Sequence, residues 1–311
     1  MNSGQNNNID LKEIKRQTRE IALAGHGDFS IRDIYTDLAL YDDTEKHAAR
    51  EELERLKTIG ELQPIGSRRG WYRRIDRSLN IIDFRSASTS EFDILLPFNL
   101  HNRVKIFPKS LIAISGEKNT GKTAVCLNIV KKNMNRGRGI YYFSSEMLAP
   151  EMRVRLEAFD DVPFSEWDFV PVHRTSDFSD VIQPDAINII DFLEIYDKFW
   201  EIGKMMTDIW NALNDGVAVV CVQKSGHAEH GRGGTFLIEK PRLTINLSKN
   251  INTRSGELEG STLHVTNCKF PRYPDKNPSG KCIDYKTLSG AKLLPEMDGD
   301  GQMHWYVPQY D

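Results

Sequence analysis

The chain has 311 residues, of which 39% are hydrophobic and 27% charged, and its formal net charge is −3. This length accommodates one large α/β domain and a small additional domain. The slightly acidic balance excludes a protein that coats nucleic acid over its whole surface, although it leaves a local basic surface open. No window approaches the roughly 18 apolar residues of a membrane span, and residues 1–8 are polar rather than signal-like. We therefore expect a cytoplasmic protein with no membrane partner.

The cysteines are widely separated in the sequence. A zinc site or a redox-active dithiol is usually indicated by a CxxC pair, and none is present. The spacing therefore predicts neither a zinc site nor a disulfide framework, and we expect incidental reduced thiols. The four residues are Cys126, Cys221, Cys268 and Cys282.

Residues 1–76 have the pattern of three helices followed by a two-stranded hairpin. Apolar residues recur at helical spacing in each of the three segments. Ser30 is placed to cap the second helix, and the third begins after a polar Asp-Asp-Thr stretch. Two short apolar runs, 62–65 and 71–75, flank a turn that contains Gly70 and predict the hairpin. We interpret this region as a separate small domain.

Residues 77–99 lack a sustained period and include a stretch rich in serine. We interpret them as a linker and the lead-in to the next domain. Over residues 100–311, short apolar runs alternate with helical stretches. This alternation predicts an α/β domain with a mostly parallel sheet and helices packed on it. The predicted strands are 111–115, 140–144, 187–190, 217–222, 243–247 and 263–265.

A loop of the pattern G-x-x-x-x-G-K-[ST], the Walker A motif, lies between the first of these strands and a helical stretch. Its glycines permit a close backbone approach, so that loop amides and the helix amino terminus surround phosphate oxygens. Lys122 is placed to contact the β- and γ-phosphates, and Thr123 to bind Mg²⁺. The predicted ATP-binding residues are Gly116, Glu117, Lys118, Asn119, Thr120, Gly121, Lys122 and Thr123.

Two further strands end in an acid. Asp191 ends an apolar strand, which is where P-loop enzymes place a carboxylate in the Mg²⁺ shell. The next residue is Phe192, whereas many P-loop ATPases place a catalytic glutamate there, so the base must come from elsewhere. Glu146 follows the strand 140–144 and is a candidate for the group that orients and deprotonates the attacking water.

Gln223 ends a further apolar strand, and a segment rich in glycine and histidine comes directly after it. An amide at such a strand end can sense the γ-phosphate or the attacking water. It can also transmit that state to the segment that follows. We therefore add Gln223 to the candidate catalytic residues.

From about residue 100 onward, the chain resembles the RecA/DnaB superfamily of ATPases, and within it the cores of DnaB-type replicative helicases and their phage and mobile-element relatives. The run Phe143-Ser144-Ser145-Glu146-Met147 is similar to the phenylalanine-serine-leucine-glutamate-methionine run of those cores. The resemblance implies that Glu146 is the catalytic base and that Asp191 is the Walker B aspartate. It also implies that Gln223 couples the ATP state to a DNA-contacting loop, here 226–235, which contains Arg232.

The segment Asn267-Cys268-Lys269-Phe270-Pro271-Arg272 resembles a basic hairpin of the same family. There, the basic pair reaches the γ-phosphate bound to the neighbouring subunit. The resemblance implies this role for Lys269 or Arg272, although the spacing here is Lys-x-x-Arg rather than Lys-x-Arg. A solvated basic hairpin is the alternative. The role in the neighbouring site would require self-association as a hexameric ring or a filament.

The region 1–76 resembles a winged helix-turn-helix domain. That resemblance implies that the third helix enters a DNA groove and that basic wing residues contact the backbone or the minor groove. Residues 1–76 contain 13 Lys and Arg against 14 Asp and Glu, however, so protein contact is the alternative. The wing residues are Arg68, Arg69, Arg73 and Arg74.

Two functions follow from these features. The first is an oligomeric, DNA-dependent ATPase that acts like a helicase or translocase in replication or recombination, on single- or double-stranded DNA. The second is an ATP-switched DNA-binding regulator or helicase loader, in which the winged helix recognises a site. Both require ATP and Mg²⁺.

Overall fold

The computed structural model describes residues 10–24, 27–66, 68–79, 81–193, 201–223, 239–251 and 258–308. Contacts divide the chain into two compact units, Met1–Ala87 and Ser88–Asp311. Among the helices in these described ranges, none is long and apolar enough to cross a membrane.

The N-terminal unit contains three helices and a three-stranded antiparallel sheet with the strand order β1-β3-β2. The three helices and the hairpin were predicted, but the first strand was not, because Asp28-Phe29-Ser30 was interpreted as a helix break and a cap. Phe29 pairs with Tyr72 across this sheet. The elements are α1 (Leu11–Ala24), β1 (Asp28–Ser30), α2 (Ile31–Asp37), α3 (Asp43–Thr58), β2 (Leu62–Pro64) and β3 (Trp71–Arg74).

Capping boxes define where α2 and α3 begin. The Ser30 hydroxyl accepts a hydrogen bond from the backbone N–H of Asp33, whose carboxylate accepts one from the backbone N–H of Ser30. Asp42 and Glu45 form the same reciprocal pair at the start of α3. Each box satisfies amides that the first helical turn leaves without partners. The local sequence therefore determines both helix starts, as expected for Ser30.

A buried glutamate joins α1 to α3. The side chain of Glu52 is 3% exposed, and its carboxylate accepts hydrogen bonds from Arg19 at 2.7 Å and from Arg55 at 2.7 and 2.9 Å. The hydrogen bond from Arg55, with that from Arg19 and both positive charges, holds the pKa of Glu52 below its usual range, although burial opposes this effect. The pairing contributes stability at neutral pH that is lost as the pH falls through this lowered pKa.

We expect Glu52→Gln to lower the local stability of the N-terminal unit by about 2 kcal/mol, because three charge-assisted hydrogen bonds to a buried carboxylate are weakened. Hydrogen exchange of α1 and α3 in the full chain measures this loss. Glu51→Gln is the matched control, since Glu51 also bonds to α1, through Lys15, but is half exposed. We expect a change within about 0.5 kcal/mol for the control. Equal protection in the two variants would contradict the prediction.

The C-terminal unit is built on a nine-stranded sheet with the order β12-β11-β10-β9-β4-β8-β7-β5-β6. The six strands from β9 to β6 run parallel to one another, and β10, β11 and β12 each pair antiparallel with the strand before them in the chain. All six predicted strands are present. The elements are β4 (Ser110–Gly116), α4 (Lys122–Asn133), β5 (Ile140–Ser144), α5 (Ala149–Glu157), β6 (Val170–His173), β7 (Ile187–Leu193), α6 (Glu201–Ala212), β8 (Val217–Gln223), β9 (Leu243–Ile251), β10 (Leu258–Cys268), β11 (Cys282–Leu288) and β12 (Lys292–Pro295).

Helices cover both faces of the parallel part of this sheet. On one face, α4 and α5 pack against alternate residues of the central strands, such as Ile112 and Val219. On the other face, α6 packs against the residues between them, such as Ala113 and Val220. Because both faces are buried, the central strands are continuous apolar runs rather than alternating ones.

The segment before β4 belongs to this unit from further upstream than residue 100. Phe92, Ile94, Leu96 and Phe98 are buried in the core that contains α4. The side-chain amide of Asn133, at the end of α4, bonds to the backbone N–H and C=O of Leu95 at 2.8 Å each. Residues from Phe92 onward, which the sequence placed at the end of a linker, are therefore part of the packed C-terminal unit.

Candidate nucleotide-binding site

The predicted phosphate-binding loop connects β4 to α4 at the carboxyl edge of the parallel strands. Gly116 ends the strand, and a Cβ there would lie 2.7 Å from the Thr120 hydroxyl and 3.0 Å from Leu247. Gly121 precedes the helix with φ +91°, a conformation that favours glycine. Both glycines of the motif are thus required by the path of the backbone.

Lys122 lies inside this loop rather than extended into solvent. Its ammonium donates to the carbonyl of Gly116 at 2.9 Å and to that of Glu117 at 2.7 Å. Burial, which leaves 9% of the residue exposed, lowers the pKa of Lys122. The negative charges of Asp191 and Glu146 oppose this effect. When a triphosphate binds, the Lys122 ammonium can therefore exchange its two neutral carbonyl acceptors for charged phosphate oxygens.

Asp191 lies beside the loop on β7 and is 5% exposed. The Tyr142 hydroxyl donates to its carboxylate at 2.5 Å, and Thr123 forms a second hydrogen bond with it. Burial raises the pKa of Asp191, and these hydrogen bonds and the positive charge of Lys122 oppose the rise. The peptide bond from Asp191 to Phe192 is cis. The Asp191 carboxylate and the Thr123 hydroxyl are both oxygen ligands of the kind that Mg²⁺ prefers. Because they adjoin, they can bind the same ion.

Glu146 lies two residues beyond the end of β5, which pairs with β7. The strand register places Ser144 opposite Asp191, and the backbone N–H of Ser145 donates to the Asp191 carbonyl at 3.1 Å. The Glu146 side chain is exposed, and it is near enough to Lys122 to raise the pKa of that ammonium. The structure therefore brings Glu146, Asp191 and the phosphate-binding loop to one edge of the sheet.

Gln223 occupies the matching position on β8. The strand register pairs it with Gly116, the first glycine of the loop. Its side chain is partly exposed at the edge where the loop lies. The predicted DNA-contacting loop 226–235, with Arg232, lies outside the described residues.

A tyrosine that the sequence did not single out supports the loop from behind. Tyr285, on β11, is buried, and its hydroxyl donates to the Thr120 carbonyl at 2.6 Å. Its ring packs against Phe98 with the centroids 5.2 Å apart. Burial raises the pKa of the Tyr285 hydroxyl, which therefore stays protonated as a donor. Only the antiparallel pairing of β11 brings this residue to the loop, and no local motif indicates it.

Two cysteines that the sequence treated as incidental meet beneath the loop. Cys126 lies on α4 one turn after Lys122, Cys221 lies on β8, and their sulfur atoms are 3.2 Å apart. Both side chains are fully buried. The hydrogen bond with Cys221, and then burial, raise the pKa of the Cys126 thiol well above its usual value. The sequence did not indicate this proximity, because the two cysteines do not form a CxxC pair. They meet because α4 packs on β8, the strand next to β4.

Lys269 and Arg272 lie at the opposite edge of the sheet from the phosphate-binding loop. Cys268, at the end of β10, pairs with Leu243, the first residue of β9, whereas the last residue of β4 pairs with Leu247. Residues after Cys268 therefore leave the sheet at its amino edge. The two side chains do not reach the nucleotide edge of their own chain.

Both basic side chains have partners within the chain. Arg272 forms a bidentate ion pair with Glu91, at 3.0 and 2.6 Å, and also donates to the carbonyls of His101 and Val104. The ammonium of Lys269 donates to the Glu239 carbonyl. A role of Arg272 in a neighbouring site would require exchange of the Glu91 pair.

The predicted DNA-binding arginines lie on or next to the hairpin β2–β3, and all four are exposed. Arg68 lies over the Trp71 ring at 5.6 Å. Arg73 donates to Gln63 at 2.6 Å, and Arg74 donates to the Leu23 carbonyl at 2.8 Å. Arg69 is the fourth residue of this surface.

No model of a known protein family matches the sequence, and no curated protein matches it. Among solved structures, the chain is similar to the KaiC-like protein PH0186 from the hyperthermophilic archaeon Pyrococcus horikoshii OT3, with a TM-score of 0.50 and 16% sequence identity. The similarity covers 67% of this chain and 99% of that chain. At this identity it shows the fold alone. The predicted α/β fold, a RecA-like core with a mostly parallel sheet, is confirmed.

Proposed function

We propose that this protein is an oligomeric, DNA-dependent ATPase of the RecA/DnaB-like type, which acts on DNA as a helicase or translocase does. One observation carries the proposal: Lys122 and Thr123 begin α4, Asp191 lies on β7 and Glu146 follows β5, and all four meet at one edge of the sheet. In P-loop enzymes, ligands bind at this edge, next to the amino terminus of the following helix.

The residues divide the work of hydrolysis among them. Lys122 leaves its carbonyl partners to bind the β- and γ-phosphates. Glu146 accepts a proton from the attacking water, and its exposure leaves room for that water beside it. Gln223, next to Gly116, contacts the γ-phosphate or the water and passes the nucleotide state to the residues that follow it.

Thr123 and Asp191 would hold the magnesium ion. Their mutual hydrogen bond means that the hydroxyl and the carboxylate are adjacent oxygen donors, a set that suits an oxygen-liganded cation. When bound, Mg²⁺ would supply positive charge that neutralises the charge developing on the phosphate oxygens. The hydrogen bond from Tyr142 holds the Asp191 carboxylate in place for this role.

Self-association is supported by the position of Lys269 and Arg272. A phosphate-binding edge on one side of the domain and a basic hairpin on the other can meet only between two copies of the chain. Such a head-to-tail contact generates a ring when it closes and a filament when it does not. In the assembled protein, Lys269 or Arg272 of one copy would reach the γ-phosphate bound to the next.

An exposed apolar segment supplies a surface for this association. Four large apolar side chains within six residues before the C-terminal unit are exposed, which is unusual for a surface that stays in water. We therefore propose that this segment contacts a second copy of the chain. The exposed residues are Leu79 at 85%, Ile81 at 88%, Ile82 at 83% and Phe84 at 73%.

We expect the double change Ile81→Asp and Phe84→Asp to shift the full chain toward monomer, because it places two charges in an apolar contact. Light scattering in the presence of Mg²⁺ and ATP measures the mass. Tyr41→Asp is the control, since Tyr41 is 84% exposed outside this segment. An oligomer that persists in the double variant would exclude the segment as the contact.

DNA binding is supported by the N-terminal unit. Its element order, with a hairpin after the third helix, is the order of a winged helix-turn-helix, and four exposed arginines line the hairpin. The negative charge of α3 is partly neutralised, because Glu51 and Glu52 bind Lys15 and Arg19 of α1. The phosphate-contacting surface would therefore be the basic wing.

ATP hydrolysis with and without DNA tests the proposed function. We expect single- or double-stranded DNA to raise the rate of phosphate release by the full chain at least about tenfold, since the nucleotide site and the DNA surface are coupled in such motors. A slow rate that DNA does not change would contradict it. Charge reversal at Arg68 and Arg69 tests whether the wing contributes to DNA affinity.

The alternative is an ATP-switched DNA-binding regulator or helicase loader. It is favoured by the winged-helix order of the N-terminal unit, which commonly recognises a specific site. Mobility-shift experiments with ATP and with a non-hydrolysable analogue separate the two. A regulator keeps site-preferring binding in Glu146→Gln, whereas a motor loses translocation or unwinding.

A further inference from the structure

The two buried cysteines beneath the phosphate-binding loop form a cluster with Asp191. Cys126 and Cys221 are 3.2 Å apart, and both sulfurs and one carboxylate oxygen of Asp191 lie within 4.8 Å of one another. All three residues are buried. Elsewhere in the described part of the chain, no other group of three such ligands comes this close.

This donor set suits a different cation from the magnesium ion of the nucleotide site. Two thiolates and a carboxylate are typical ligands of zinc, whereas Mg²⁺ prefers oxygen ligands alone. Zinc–sulfur bonds of about 2.3 Å in a tetrahedral site place two sulfurs about 3.8 Å apart. Cys126 and Cys221 would need to separate by only about 0.6 Å to reach that geometry.

The charges around the cluster balance when such a cation is bound. Two thiolates and the Asp191 carboxylate carry three negative charges. A divalent cation and the neighbouring Lys122 ammonium, whose charge interacts with all three ligands, carry three positive charges. A buried site with no net charge avoids the large cost of an uncompensated ion.

We propose that Cys126, Cys221 and Asp191 form a site for a thiophilic divalent cation of the zinc class, and that its occupancy excludes the magnesium–ATP complex. On binding, the two thiol protons leave to solvent and both sulfurs coordinate the metal as thiolates. The proposal rests on the proposed function only in that Asp191 is shared with the magnesium site.

Competition follows from that shared ligand. A cation held by the two sulfurs draws the Asp191 carboxylate away from Thr123 and places a second positive charge beside Lys122. The magnesium site is then incomplete, and hydrolysis stops. By linkage, magnesium–ATP must weaken the thiophilic site by the same factor as the thiophilic cation weakens ATP binding.

Cobalt(II) titration of the reduced full chain tests the site, since cobalt replaces zinc and its bonds to thiolate absorb in the near ultraviolet. We expect one cobalt per chain with this charge-transfer band, and zinc should remove the band. Cys126→Ala and Cys221→Ala should each weaken cobalt binding at least tenfold. Cys268→Ala and Cys282→Ala are the matched controls, because both residues are buried cysteines outside the cluster, and they should keep the band.

The wild-type protein provides a test that needs no variant. Addition of magnesium–ATP to the cobalt-loaded chain should bleach the band, and a zinc-selective chelator, added with Mg²⁺ in excess, should restore ATPase activity to zinc-treated protein. Absence of a stoichiometric band, or a band that survives in folded Cys126→Ala and Cys221→Ala, would overturn the site. A band that magnesium–ATP leaves unchanged would overturn the competition. If cobalt binds as expected and ATP is not hydrolysed, the proposed function fails and the metal site stands.

Discussion

Replacement of Lys122 by alanine is expected to lower the affinity for ATP by at least about 100-fold, which corresponds to about 2.7 kcal/mol. The ammonium is buried in the loop, where it donates to the carbonyls of Gly116 and Glu117. Removal of the ammonium leaves the phosphate charge without a partner in a buried site. This weakens ATP binding by more than the loss of a surface charge does. Titration calorimetry with Mg²⁺ and a non-hydrolysable ATP analogue measures the change.

Lys132→Ala is the matched control for this prediction. Lys132 lies on the same helix, α4, ten residues after Lys122 and away from the loop. We expect its affinity for the analogue to stay within about threefold of wild type, since partly exposed charges at this distance are screened. If Lys122→Ala bound the analogue as tightly as Lys132→Ala does, the loop would not be the phosphate site.

The second large effect is expected from Glu146→Gln. The amide keeps the shape of the side chain but cannot accept the proton of the attacking water, so hydrolysis should fall by about 10²- to 10⁴-fold. ATP affinity should stay within about threefold, because the substitution removes no bond to the loop. Rapid-quench measurement of a single turnover separates this chemical step from binding and product release.

Glu151→Gln is the control for the base. Glu151 is an exposed acid at the start of α5, five residues after Glu146, and it bonds to Arg155 rather than facing the loop. Its single-turnover rate should equal that of wild type. Parallel losses of binding and hydrolysis in Glu146→Gln would show that Glu146 supports the loop instead of activating water.

The parts of the site that lie in local motifs could be predicted from the sequence. Gly116 and Gly121 are required by backbone geometry within one short loop, so their spacing was informative. Asp191 and Glu146 follow apolar strands, and parallel strands bring their carboxyl ends to one edge. Periodicity and strand ends therefore sufficed to place both acids beside Lys122.

The remaining parts depend on contacts between distant segments. Tyr285 reaches Thr120 only through the antiparallel register of β11, and Cys126 meets Cys221 only because α4 packs over β8. The strand β1 has three residues, and β6 contains Pro171 and is largely exposed, so neither produces a sustained apolar pattern. Phe92 and Ile94 were placed in a linker because a segment that packs without regular secondary structure has no period to detect.

A structure of the full chain with Mg²⁺ and a non-hydrolysable ATP analogue tests the central claim most directly. We predict that the Lys122 ammonium contacts the β- and γ-phosphates, that Thr123 and Asp191 hold the magnesium ion directly or through water, and that Glu146 lies within one water of the γ-phosphate. A nucleotide bound away from the loop, or a Glu146 carboxylate with no path to the γ-phosphate, would contradict the account.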